Sequence, residues 1–272
     1  MSSARPAPRR ALTVLLLLAL ALLAATVPAA TSAAEPGPAT PVHDADHWRE
    51  RVAAARSYAL ARRGVVTFAV LDGRRLHGYG LDRRAQSQSV AKAMLMVAYL
   101  SRPDVAFRDL RESERQLLAP MVRRSDNPTA WRVFGIVGQR GLRRVGDRAG
   151  MRRLRTDPIW WATGITAADQ ARFFMQIDAL LPPRHRAYGM RLLETIVPSQ
   201  RWGIGRVSLP AGWRLYFKGG WGTGTGAFDH QIALLTRGEQ RISVAILTTW
   251  QGSHAYGNET LSAVAARLLR RL

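Results

Sequence analysis

From residue 44 to 63 apolar side chains recur near helical spacing (Trp48, Val52, Ala55, Tyr58 and Leu60), and Gly64 follows as a stop signal, which predicts an amphipathic helix. Val65 to Leu71 is a short apolar run and predicts a strand. Asp72-Gly73 marks a hairpin turn, with Arg74 to Leu81 as the returning strand. From Ser89 to about Leu180 the pattern is helical, broken at Arg102-Pro103, at Ser125 to Pro128 and at Thr156 to Gly164. Pro182-Pro183 ends that block, and another helix is expected from about Arg184 to Ile196. Strands return around Arg214 to Phe217, Phe228 to Thr236 and Arg241 to Thr249, the last two joined at Gly238. A final helix covers roughly Asn258 to Leu272.

Strand runs separated by a helical block, without regular alternation, predict an α+β fold. The two strand groups are expected to join into one antiparallel sheet flanked by the terminal helices. Residues 44–88 and about 200–272 would form the sheet lobe, 89–199 an all-helical lobe, and the cleft between them the site. Ahead of this domain, Arg5, Arg9 and Arg10 precede an apolar run from Ala11 to Val27 and then small residues, the form of an export signal. Cleavage near Ala33 or Ala34 makes 1–34 a signal peptide and 35–43, with Pro36, Pro38 and Pro41, an exposed leader. The protein is then expected outside the cytoplasm. A retained anchor is the alternative, because the run nears the lower length of a membrane span. General secretion and a twin-arginine route at Arg9-Arg10 both remain open.

The chain has no cysteine, which excludes a disulfide framework and a thiolate nucleophile. The formal charge is +21, and losing three arginines and no acids with the signal leaves +18. An exported protein of this charge points to an anionic envelope surface as a neighbour, with no nucleic-acid partner. A merely solvated basic surface explains the bias equally well. Of the forty basic residues, all but Lys92 and Lys218 are arginine. Arginine stays protonated in proteins, whereas burial lowers the pKa of a lysine, so the two lysines are candidates for chemistry.

Ser89-Val90-Ala91-Lys92 opens an apolar helical stretch, and residues three apart share a helix face, so the amine can reach the hydroxyl. Serine needs such a neighbouring base to act as a nucleophile. Ser125-Asp126-Asn127 sits before Pro128 between two helical stretches; taken alone, ordinary helix capping accounts for it. Lys218-Gly219-Gly220 follows the apolar strand Leu215-Tyr216-Phe217. In this order, Ser-x-x-Lys, Ser-Asp-Asn and Lys-x-Gly resemble the motif set of class A β-lactamases and penicillin-binding proteins.

The resemblance covers most of residues 45 to 272 and includes Leu209-Pro210-Ala211-Gly212-Trp213 leading into the second lysine. It implies that Ser89 attacks a carbonyl with Lys92 as base or proton relay, and that Ser125 passes a proton toward the leaving nitrogen. Asn127 would hold Lys92 and the substrate amide, Asp126 would buttress the loop, and Lys218 would supply positive potential. Gly220 and Trp221 would line the substrate site, the N–H groups of Ser89 and Trp221 forming an oxyanion hole. Two departures stand out. Gly219 lacks the hydroxyl that the family uses toward a substrate carboxylate. The omega loop is shortened to about Thr156 to Gly164, where Asp157-Pro158 is the one candidate for the family's deacylating acid, and a turn residue before proline accounts for Asp157 as well. Trp160, Trp161 and Trp221 are candidates to line an apolar pocket or to pack in the core.

His43 and His47 have the spacing of a metal pair but no glutamate between them, and there is no Gly-x-Ser-x-Gly elbow. The Gly-rich stretch 219–226 leads into a strand, so it is a poor phosphate cradle. The expectation is therefore a secreted serine hydrolase, monomeric, without metal or cofactor. It would form an acyl-enzyme on Ser89 with a small-molecule β-lactam or related amide, with slow deacylation. A D-alanyl-D-alanine peptidase of the cell wall is one alternative, and a noncatalytic basic envelope-binding protein on the same fold is another.

Overall fold

Ten consecutive buried residues, Ala91–Leu100, run through the middle of the molecule as a helix with no solvent-facing side. A helix apolar on every face must be surrounded by other elements. The computed structural model describes residues 45–223, 226–270 and 272, all within one unit that begins at Pro41. The expected signal peptide, the leader and His43 lie outside the described residues. Among the described residues no helix is long and apolar enough to cross a membrane.

The order is α1 (Ala45–Leu60), β1 (Val65–Leu71), β2 (Leu76–Tyr79), β3 (Arg84–Gln86), a 3₁₀ turn at Gln88–Val90 and α2 (Ala91–Leu100). Then come α3 (Pro103–Ala106), α4 (Glu112–Arg123), α5 (Asn127–Arg148), a 3₁₀ turn at Trp160–Ala162, β4 (Gly164–Thr166), α6 (Ala167–Met175), α7 (Ile177–Leu180) and α8 (Pro183–Glu194). After two more 3₁₀ turns, at Pro198–Gln200 and Gly203–Arg206, β5 (Arg214–Trp221), β6 (Phe228–Arg237), β7 (Gln240–Thr249) and α9 (His254–Leu269) close the fold. The main sheet has the order β2-β1-β7-β6-β5 and every pairing is antiparallel. β1 pairs with β7, so the N-terminal hairpin and the C-terminal strands form one sheet, as the sequence pattern predicts. α1 and α9 pack together beside it, and α2, α4 and α5 form the helical side of the cleft.

Several boundaries differ from the pattern. β5 continues past Phe217 through Lys218-Gly219-Gly220 to Trp221, because cross-strand pairing with β6 outweighs the low strand propensity of glycine. α9 starts at His254, before Asn258, where the Ser253 hydroxyl accepts from the Tyr256 N–H at 3.2 Å. β3 and β4 pair with each other over three residues each, too short to leave a periodic signal. The stretch assigned to an all-helical lobe is interrupted as well. α6 packs on the sheet, the Ser243 hydroxyl donates to the Ala171 carbonyl at 2.6 Å, and Arg241 pairs with Asp178 at 2.7 Å.

Glu114 at the start of α4 ties the helical side together. Its carboxylate takes two hydrogen bonds from Arg108, at 2.7 and 2.8 Å, and one from the Arg111 N–H at 2.8 Å. The Arg108 guanidinium foremost, with the Arg111 N–H, holds the carboxyl at about 2 against its ordinary 4.5. Glu114→Gln should therefore lose about 2 kcal/mol of stability in urea unfolding at pH 7. A lowered carboxyl pKa gives stability above the unfolded value, so the gap between parent and variant should close as pH falls from about 4.5 toward 2.

Candidate active site

Ser89 lies in the 3₁₀ turn that opens onto α2, and the chain on either side of it is pinned. Gln88 adopts a left-handed backbone conformation with φ 50°, a strained state that persists only where neighbours hold it. On the upstream side the Ser87 N–H donates to the Thr163 carbonyl at 2.8 Å, and the buried His230 ring donates from Nε2 to the Gln86 carbonyl at 2.9 Å. Burial holds His230 at about 4, so the ring is neutral at pH 7 and its Nδ1 accepts from the Thr248 N–H. Against Ser89 on the other side lies Gly220, where a Cβ would come within 2.7 Å of the Ser89 nitrogen. Only glycine lets the strand approach that closely. β5 is the edge of the sheet, and the Gly222 N–H donates inward to Phe228. Alternation along the strand then turns the Trp221 N–H to the free edge.

Lys92, one turn into the helical stretch, is wholly buried and points its ammonium at the nucleophile. Its Nζ lies 3.0 Å from Ser89 Oγ, 2.7 Å from Asn127 Oδ1 and 3.3 Å from Ser125 Oγ, and it also donates to the Ser125 carbonyl. Lys218, buried in β5, reaches Ser125 Oγ at 3.0 Å and the Gly219 carbonyl at 2.6 Å. The Ser125 hydroxyl is thus bracketed by two amines from opposite sides of the cleft. Ser125 itself is left-handed at φ 60°. Asp126 fixes that turn by capping α5, its carboxylate accepting from the Thr129 N–H at 2.8 Å and the Thr129 hydroxyl at 2.7 Å.

The electrostatics follow from burial without ion pairing. Among the described residues, neither lysine has a carboxylate within salt-bridge distance. Desolvation brings Lys92 down to about 7 from the ordinary 10.5, with the Asp126 charge opposing the fall. Lys218 is pushed well below the usual lysine range by complete burial and then by the charge on Lys92. Two ammonium groups around one hydroxyl repel, so one of the pair is neutral near pH 7. The cluster can hold a neutral amine beside a serine hydroxyl, which is what a proton-abstracting base requires.

Ser89, Lys92, Ser125, Asn127 and Lys218 are brought together, Asp126 buttresses their loop, and Gly220 and Trp221 line the same edge. Asp157, the candidate deacylation residue, is not among them. Its carboxylate folds back on its own loop, accepting from the Ile159 N–H at 2.8 Å, and it contacts neither Ser89 nor Lys92. The position over the Lys92 ammonium belongs to the Trp160 ring, whose centroid lies 5.0 Å from Nζ. Trp160 is 2% exposed, so it serves as both core and site wall, while Trp161 stays at the surface. Gly219 has a physical reason to lack a side chain: a Cβ would stand 3.1 Å from the Trp202 ring.

On the far face of β5 Trp221, already a pocket candidate in the sequence, meets two residues that sequence reasoning missed, Trp202 and His254. Trp202, Trp221 and His254 meet edge to face or tilted, with ring centroids 5.2–5.8 Å apart. His254 Nδ1 is 2.5 Å from the buried carboxyl of Asp229, which desolvation raises to about 6. The one signal for them was a polar Asp229-His230-Gln231 run beginning an otherwise apolar strand.

A family model described as the Beta-lactamase enzyme family matches residues 107–272, a span that holds Ser125, Asn127 and Lys218 and begins after Ser89 and Lys92. No curated protein matches the chain by sequence. A solved beta-lactamase from Sphaerobacter thermophilus DSM 20745 has a TM-score of 0.69 at 20% identity, over 82% of this chain and 97% of that one. A class A beta-lactamase from Mycobacterium abscessus scores 0.66 at 19% identity, over 81% and 98%. L2 complexed with relebactam scores 0.67 at 21% identity, over 82% and 98%. At these identities the likeness to the solved structures is one of fold.

Proposed function

We propose that this chain, which belongs to the beta-lactamase enzyme family, is a serine hydrolase that forms an acyl-enzyme on Ser89 with a β-lactam or related amide and releases it slowly. The observation that carries this reading is the 3.0 Å contact between Ser89 Oγ and an amine held near pH 7. As Oγ bonds to the carbonyl carbon, neutral Lys92 takes the hydroxyl proton. The N–H groups of Ser89 and Trp221 receive the developing oxyanion. When the C–N bond breaks, the leaving nitrogen takes a proton from the Ser125 hydroxyl, which Lys218 and Lys92 then replenish. The products are an ester on Ser89 and a free amine. The structural neighbour L2 carries relebactam, and a small molecule is the occupant proposed for this cleft too.

Intact-mass analysis after incubation with a penicillin and with a D-Ala-D-Ala peptide tests the reading. A single adduct that is absent in Ser89→Ala supports it; a protein never labelled, or labelled equally in the variant, sinks it. The acylation rate should also climb with pH along one limb centred near 7, because only the neutral amine accepts the proton and the charged form predominates below its pKa. A rate flat between pH 5 and 9 would count against Lys92 as base. The lack of a carboxylate against Lys92 among the described residues favours a D-alanyl peptidase as the second reading, which a lasting adduct with the peptide would select.

A third reading, binding to an anionic envelope polymer, draws on the groove between α1 and β2. It has a volume of about 1150 Å³ and is lined by Arg56, Arg75 and Arg83. Salt-sensitive cosedimentation with cell walls, unchanged in Ser89→Ala, would favour it. All three readings suit an exported protein, for which Arg5, Arg9, Arg10 and the apolar run Ala11 to Val27 are the support.

A further inference from the structure

A strand at a sheet edge offers three surfaces to a ligand: its free backbone edge and the side chains on its two faces. In β5, alternation places Lys218 and Gly220 on the face toward α2, and Gly219 and Trp221 on the face toward α9. The first face belongs to the chemistry described above. The second is built from aromatic rings and opens on a separate cavity of about 570 Å³.

We propose that this cavity is a substrate subsite, reached past Trp221 from the nucleophile side of β5, that takes a flat aromatic group. It deepens the proposed acylation at Ser89, and its chemistry is legible in the walls. Trp221, Trp202 and His254 form one side, with Gln200, Arg206 and Asn258 on the rim. None of the three rings is loosely held. Trp202 lies over Gly219, and its segment is pinned by buried Gln231, whose side chain bonds the Trp202 carbonyl and the Ile204 N–H. His254 is fixed at both nitrogens. Asn258 Nδ2 donates to Nε2 at 3.1 Å, so the ring proton sits on Nδ1 and is donated to Asp229. This arrangement fixes the plane of the imidazole, which lies only 34° from that of Trp221.

The rings are not sealed in the core. His254 is 30% exposed and Trp221 is half-buried, and both line the open cavity. Two neighbouring π faces tilted by 34° with a hydrogen-bonding rim suit an aryl or heteroaryl ring, which packs against them at little entropic cost. A carboxylate fits poorly: the Asp229 carboxyl stands directly behind the imidazole. A substrate lying along the β5 edge with its scissile carbonyl at Ser89 would have Trp221 beside it, so a substituent turned toward α9 enters the cavity.

The test uses Ser89→Ala protein, so that binding is read without acylation. Calorimetric titration with phenylacetamide and with acetamide should show tighter binding of the aryl amide. Trp221→Leu and His254→Gln, each checked for an unchanged thermal midpoint, should each weaken the aryl amide by about fivefold, the size of one aromatic pair, and His254→Gln should leave acetamide unaffected. Equal binding of the two amides, or aryl binding indifferent to both substitutions, overturns the subsite. Labelling of Ser89 in the parent protein is scored separately. A labelled serine without aryl preference defeats this inference alone, and aryl preference without labelling defeats the acylation reading alone.

Discussion

Lys92→Arg should lower the rate of Ser89 acylation by at least about a thousandfold, the range for losing a positioned general base. Arginine keeps the positive charge but does not give up its proton, so the substitution separates a base from an electrostatic anchor. The structure makes the prediction sharp because Lys92 is the one basic residue in a ten-residue buried helix and lies 3.0 Å from the nucleophile. A guanidinium is also larger, so Lys92→Met provides the control. It removes an ammonium that desolvation holds at about 7. A lysine whose folded pKa lies below its unfolded value destabilises the fold wherever the unfolded chain is charged, that is, below about 10.5, and increasingly as pH falls toward the folded value. Lys92→Met should therefore unfold at the same temperature as the parent or higher at pH 7, while acylating no faster than Lys92→Arg. Acylation within tenfold of the parent in either variant would remove Lys92 from the mechanism.

How much of this was legible in the sequence depends on the range of the interactions. Ser89 and Lys92 could be paired from helical spacing alone. That Lys218 shares the hydroxyl of Ser125, 93 residues earlier, was reachable only through motif order, since nothing local to either residue encodes it. The sheet followed from the apolar runs and their turn signals, but the extension of β5 through two glycines did not, because partner strand β6 supplies the reason. Asp157 shows how a near backbone partner competes with motif position. Position in the loop and the following proline made it resemble a catalytic acid, whereas its own backbone offered a nearer partner at Ile159. Trp160 and Trp221 were legible only as pocket or core, and Trp202 and His254 not at all, because only packing shows which ring edges reach a cavity.

The Trp160 indole that stands against Lys92 sets the second large expectation. After acylation, the ester on Ser89 is hydrolysed only if a water is activated within reach of its carbonyl. Asp157 is turned into its own loop and Asp126 is committed to Thr129, so the described residues leave Lys92 as the group in contact with the serine that can take a proton. The Trp160 ring at 5.0 Å from Nζ narrows the space where such a water would stand. Stopped-flow release of a chromophoric leaving group should therefore show a burst of about one product per enzyme, followed by a phase at least about a hundredfold slower. Mass analysis during the slow phase should find most of the protein carrying the adduct. Asp157→Ala should leave the slow phase within about twofold of the parent, since that carboxylate touches neither Ser89 nor Lys92. Linear turnover with no burst and no adduct, or a slow phase that collapses in Asp157→Ala, would mean that the loop rearranges in the acyl-enzyme and brings an acid to the ester after all.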